Sequence, residues 1–163
     1  RLIDDPRITA LRGDELGMSI VELLLLWAAM HVIKVAIAEQ AGSRTDRVGR
    51  RPLILTGWMV YAVTLFALAF VAQPQMLWAW SLALGFYFGL TEGAERALVR
   101  DLATPAERGT AFGWFHMLVG LAAIPAGLLI GGLWSFYSVK IAFLVSAALA
   151  AAATAGFWRF VRP

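Results

Sequence analysis

Five stretches of this sequence are each about twenty residues long and almost wholly apolar, and that repetition constrains the fold more than any other feature. A helix needs about 20 mostly apolar residues to cross some 30 Å of hydrocarbon. The stretches run from about Gly17 to Ala38, Pro52 to Ala72, Met76 to Leu98, Thr110 to Trp134 and Val139 to Phe160. They are too long for strands and do not alternate. Pro52 suits a first helical turn, where a missing N–H costs nothing. Gln73-Pro74-Gln75 is a polar break, and Thr104-Pro105 is expected to start a new helix before the fourth stretch, with Glu107 in its first turn. The expected fold is an all-α membrane protein with five transmembrane helices, 17–163, behind a tail at 1–16.

Composition supports a lipid solvent. Hydrophobic residues make up 60% of the 163, and the mean hydropathy is +0.72. Soluble domains carry about 45–50% apolar residues. No cysteine is present, which excludes disulfides and thiolate metal sites. The net charge of +3 is scattered in the connections. That distribution is a topology signal rather than a nucleic-acid footprint. Arg44, Arg47, Arg50, Arg51, Arg96, Arg100, Arg108, Arg159 and Arg162 fall on one side; Arg1, Arg7, Arg12 and Lys140 fall on the other. The positive-inside rule puts the first group in the cytoplasm, with the N-terminus outside and the C-terminus inside. Trp78, Trp80 and Trp134 then lie near the outer interface and Trp158 near the inner one.

Charge concentrates in GSRTDRVGRR, Gly42 to Arg51. Read as a cytoplasmic turn, it uses Gly42 and Gly49 for a tight reversal. Asp46 can meet a helix N-terminus. Arg50 and Arg51 can reach lipid phosphates or acids on a neighbour. The third stretch ends in Glu92, Glu95 and Arg96, with Glu92 and Arg96 spaced i,i+4, followed by Arg100 and Asp101. This end should face the turn. An ordinary solvated ion network explains the same residues.

Three polar residues stand in the first stretch. His31 and Lys34 lie about 60° apart on one helix face. A central Lys costs roughly 2.5–3.5 kcal/mol to insert. Lys34 is either a functional intramembrane cation that pairs with a carboxylate on a partner or a side chain that snorkels to the cytoplasmic end. Glu22 is a candidate buried proton or ion site, or else a helix-end carboxylate in headgroup water. In the fourth stretch Gly120, Gly127 and Gly131 form a small face, with Gly127 and Gly131 in GxxxG spacing. Pro125 should kink that helix. The small run SAALAAAATAG in the fifth invites close contact with it or with a partner. No HExxH, GxSxG, phosphate loop or paired metal-ligand spacing occurs, so no enzyme, metal or cofactor is expected.

The spacing G-x-x-x-D-R-x-G-R-R in Gly42–Arg51 resembles the signature loop of the major facilitator superfamily. TEGAERALVRDLATPAERGTAFGWFHMLVGLAAIPAGLLIGGLW, Thr91 to Trp134, resembles the helix pair that follows in the second half of bacterial members, and LRGDELGMS is similar to their preceding segment. The resemblance covers Leu11 to the end. It implies the last five helices of a twelve-helix secondary transporter in a bacterial inner membrane, moving small solutes by alternating access once joined to the missing half. It also implies that acids at the end of the third helix pair with the loop arginines as a latch: Asp46, Arg47, Arg50 and Arg51 with Glu92, Glu95 and Arg96. Departures are Arg44-Thr45 before the Asp, Glu39-Gln40-Ala41-Gly42 where an aromatic–Pro–Ala–Gly step is usual, and Lys34 where an apolar residue is usual. They keep two other readings open, a transporter-derived accessory subunit of a larger membrane complex and an engineered membrane protein. Expected partners are the bilayer, the missing half or other membrane subunits, and a small-molecule substrate, with no nucleic acid.

Overall fold

The computed structural model describes residues 12–160, apart from the side chains of residues 43–48 and 160. A helical turn at 12–15 precedes five long helices: α1 (Ile20–Val48), α2 (Arg50–Leu68), α3 (Pro74–Leu102), α4 (Arg108–Phe136) and α5 (Val139–Phe160). The tail expected at 1–16 lies outside the described residues up to residue 11.

The turn expected over Gly42–Arg51 is not a loop. α1 continues helically through Gly42 and the following SRTDRV, and Gly49 alone separates it from α2. Nothing in residues 43–48 forbids a helix, since the segment lacks proline and carries two arginines of good helix propensity. Gly49 adopts φ 86° and ψ 161°, a region open essentially to glycine. Pro52 follows as the third residue of α2, where its missing N–H is one of the four unbonded ones of a helix start. α3 is also longer than expected at both ends, and α4 runs without a break through Pro125.

α3 is the centre of the bundle. It packs against α1 on one flank and α2 on another; α5 covers α2, while α4 leans on α5 and only lightly on α3. Two glycines set the α1–α3 approach. A Cβ built on Gly85 would stand 2.5 Å from the Met30 carbonyl oxygen. One on Gly89 would stand 2.6 Å from Ile37 Cβ and 2.7 Å from the Lys34 carbonyl oxygen. Gly57 of α2 performs the same service opposite Thr91. The core joins Leu26, Leu65, Leu68, Leu77, Leu84 and Phe143, closed at one end by Met18. There the Arg12 guanidinium donates to the Val71 carbonyl at 2.7 Å, so the segment before α1 folds back over the α2–α3 connection.

Among the described residues four helices are long and apolar enough to cross a membrane: Ile20–Gly42, Arg50–Leu68, Arg108–Phe136 and Val139–Arg159. α3, the third of the five expected spans, is not among them. Its Ser81, Tyr87, Thr91, Glu92, Glu95 and Arg96 lower its hydropathy. Ser81, Tyr87 and Thr91 are buried between helices rather than exposed to the surroundings. α4 is the opposite case, apolar throughout, with Ile130 its one buried residue.

Candidate functional site

The polar side chains gather at the end of the bundle where α1 and α3 finish and α2 begins. Alternation along the helix places residues 85, 89 and 92 of α3 toward α1, and residues 87, 91 and 95 toward α2. Lys34 of α1 therefore meets Glu92: Nζ stands 2.5 Å from Oε2. Arg96, one turn on, holds the other oxygen at 2.7 Å. Phe88 lies 5.6 Å under the Lys34 ammonium. Lys34 and Glu92 are each about one-third exposed, at 31% and 32%. Lys34 thus bridges α1 to α3 and does not run to the helix end, because a carboxylate one helix away satisfies it sooner.

The two arginines that open α2 reach different partners. Arg50 pairs with Asp101 at the end of α3, with Arg100 a further 3.5 Å neighbour of the same carboxylate. Arg51 donates to the Trp158 carbonyl of α5 at 2.5 Å. Glu95 turns to α2 and accepts from the Trp58 indole at 2.9 Å. Of the residues expected in the latch, Glu92 and Arg96 form a group with Lys34, Arg50 pairs with Asp101, and Arg51 meets the Trp158 carbonyl; Lys34 and Asp101 are partners that the expectation did not include. The side chains of Asp46 and Arg47 lie outside the described residues. Gly42 is an open helical position, where an added Cβ would meet nothing within 4 Å, and Gly49 is the joint.

Glu22 has a local role. Its carboxylate accepts from the Ser19 N–H at 2.7 Å and the Ser19 hydroxyl at 2.8 Å, and its own N–H donates back to Ser19 Oγ. That is a reciprocal capping box at the start of α1. The residue is exposed, not a buried ion site within this chain. His31 lies against Trp27 with the rings tilted and their centroids 4.3 Å apart, and its Nδ1 lies 2.9 Å from the Trp27 carbonyl. It stays a turn away from the Lys34–Glu92 pair in sequence.

Two glycines of the small face of α4, Gly120 and Gly131, find no neighbour among the described residues. Gly120 and Gly131 have nothing within 4 Å of an added Cβ. Gly127 and Pro125 sit on the same open helix, half-buried and exposed respectively. Around them Trp114, Leu118, Leu121, Ile124 and Leu128 are exposed. The close approaches belong instead to Gly85 and Gly89, and the sequence signal for them is the Gly-x-x-x-Gly spacing within LGFYFGL. For Asp101 the signal is its place beside Arg100 at the end of α3. The Trp58–Glu95 bond has no such signal, because it depends on how α2 and α3 are phased.

The sequence model of the Major Facilitator Superfamily matches residues 8–163. An uncharacterized MFS-type transporter of Methanocaldococcus jannaschii is 30% identical over 82% of this chain and 33% of its own length. The class B tetracycline resistance protein of Escherichia coli is 33% identical over 78% of the chain and 30% of its length. The multidrug resistance protein MdtH of Cronobacter sakazakii is 28% identical over 88% of the chain and 36% of its length. The chain thus spans about a third of the length of the curated relatives it matches. With long apolar helices, a glycine-jointed α1–α2 pair and a match over nearly every residue, the chain belongs to the Major Facilitator Superfamily of membrane transporters.

Proposed function

We propose that this chain is the latter part of a secondary transporter of the inner membrane, and that it moves a small solute by alternating access together with further helices seated on α1 and α4. The observation that carries this is the uncovered side of the bundle. α4 keeps one residue buried, yet bears a glycine face of the sort that admits another helix or a solute closely. The outward side of α1, with Val21, Leu24, Leu25, Val32 and Val35, is open too. Two helix faces left unpacked in a chain matching one third of its relatives fit a half-assembled pathway. In this reading α3 also crosses the membrane, screened by α1 and α2, which makes five spans. The N-terminus is then outside and the arginine-rich end cytoplasmic, where Arg50–Asp101 and Lys34–Glu92–Arg96 latch one state. The names of the relatives make tetracycline-like and other drug-like solutes the first to try.

The test uses the absence of cysteine from these 163 residues, with any cysteine elsewhere in the protein first replaced by serine. Single cysteines at Gly131 and Leu128 of α4 are labelled in intact cells and in inverted vesicles with a water-soluble maleimide. A transport pathway gives labelling that a transported solute suppresses. Labelling by lipid-soluble reagent alone would assign this face to lipid or to a fixed structural partner, which is the accessory-subunit reading.

A further inference from the structure

A cavity of about 210 Å³ lies at the arginine-bearing end of the bundle, where α1 and α3 finish and α2 begins. Alanines and glycines of α1 and α3 make up most of its wall, and among the described residues Arg50 and Arg100 are its only charged side chains. A Cβ added at Gly42 or Gly93 would meet nothing within 4 Å, so the space reaches the backbone of both helices. Charge here does not balance. Arg50 pairs with Asp101, and Arg100 touches the same carboxylate through Nε at 3.5 Å, the long edge of hydrogen-bonding range. Neither arginine has another ion pair among the described residues, so two guanidiniums share one carboxylate. The Arg50 Nε is also buried with no hydrogen-bond partner among the described residues. Buried donors are rarely left that way. α2 opens at Arg50 without a side-chain cap, and its positive end adds charge of the same sign.

We propose that this cavity binds a phosphate group, held between the Arg50 and Arg100 guanidiniums while Asp101 keeps its place beside them. A guanidinium fork matches a pair of phosphate oxygens. A tetrahedral oxyanion has oxygens enough for both forks and for the buried Arg50 Nε–H. It completes the charge balance and leaves the Arg50–Asp101 pair in place. The small walls give it room, and the mouth is reachable: Arg100 stands two residues before the end of α3 and is half-exposed, at 52%. The phosphate can belong to a lipid headgroup or to a free phosphate, since phospholipid phosphates lie at the level of helix ends. The site uses neither the open side of α1 nor that of α4, so it stands or falls independently of the transport reading.

The probe is inorganic phosphate, titrated by equilibrium dialysis against the full-length protein in maltoside micelles free of phospholipid. Phosphate should bind saturably, and acetate should not displace it. Arg100→Gln should weaken binding at least tenfold. Gly93→Leu, which fills the cavity from α3 and leaves both arginines in place, should abolish it; this second variant keeps the test sharp where the first fails to fold. Asp101→Asn should tighten binding at least threefold, because it removes the one anion that competes for both guanidiniums. A purely structural role for these residues predicts no such gain. Short-chain phosphatidylglycerol that displaces phosphate at a tenth of the phosphate concentration or less supports a headgroup occupant. Displacement weaker than that supports a free phosphate. No saturable phosphate binding, equal displacement by acetate, binding unmoved by both Arg100→Gln and Gly93→Leu, or binding weakened by Asp101→Asn overturns the proposal.

Discussion

Replacing Gly89 by alanine tests whether α1 and α3 meet as closely as described. The new methyl carbon would lie 2.6 Å from Ile37 Cβ and 2.7 Å from the Lys34 carbonyl oxygen. Ordinary contact between carbon atoms is about 3.5–4.0 Å. Both obstacles are fixed to the α1 backbone, so no rotamer change relieves them, and the helices must part by roughly 1 Å on that van der Waals scale. Overpacking of this kind costs about 1–3 kcal/mol. Alanine returns up to about 1 kcal/mol of helix propensity over glycine. The net expectation is a loss of about 1–2 kcal/mol, or roughly a 5–30-fold fall in the folded-to-unfolded ratio. Gly131→Ala is the internal control: it meets nothing within 4 Å, so the propensity gain stands alone and stability should hold or rise. The assay is reversible unfolding of the purified protein in mixed micelles, followed by tryptophan fluorescence. Gly89→Ala at least as stable as the parent, with Gly131→Ala destabilised, would refute the packing assigned to both helices.

Further outcomes follow from the same geometry. Gly49→Ala should cost about 1–3 kcal/mol from backbone strain alone, since only Pro52 Cδ lies near, at 4.0 Å; unchanged unfolding would mean the joint is not held at positive φ. Lys34→Met and Glu92→Leu should show a coupling of about 0.5 kcal/mol or more in a double-mutant cycle, because the Lys34 ammonium sits on a Glu92 oxygen; losses that simply add would show the two residues uncoupled. Glu22→Gln should preserve the capping box and leave solute transport intact, within about 0.5 kcal/mol of stability for an exposed site; loss of transport would restore the ion-site reading of Glu22. Asp101→Asn should change stability by about 1 kcal/mol or less, as expected of partly exposed pairs, and a much larger loss would show that Arg50–Asp101 is a structural clamp.

The helical class and most helix bounds are legible in the sequence because long apolar runs leave few alternatives. α5 coincides with its expectation, and the ends of α2 and α4 differ from theirs by a few residues. Contacts between helices are much harder to read. The glycine-rich turns of α4 resemble a packing surface as well as Gly85 and Gly89 do, and nothing local distinguishes them. Which one is used depends on what stands opposite, and opposite Gly89 stands the Lys34 carbonyl. The charged stretch before α2 misleads for a different reason. Charge suggests solvent, and solvent suggests a loop, yet arginines tolerate a helix well. Only Gly49 carries a backbone requirement, so only Gly49 breaks the chain.

The modest hydropathy of α3 has a consequence for biosynthesis. α1, α2, α4 and α5 are each long and apolar enough to cross a bilayer. α3 does not meet that standard of length and composition, with Glu92, Glu95 and Arg96 in its last turns, and charged side chains are costly to place in hydrocarbon. The neighbours that shelter it, α1 and α2, both precede it in the chain. A ribosome therefore delivers Lys34 and Trp58 to the membrane before Glu92 and Glu95 arrive to meet them. In the five-span reading proposed above, the central helix enters as a passenger of a hairpin already in place, and the order of synthesis becomes part of how the bundle is built.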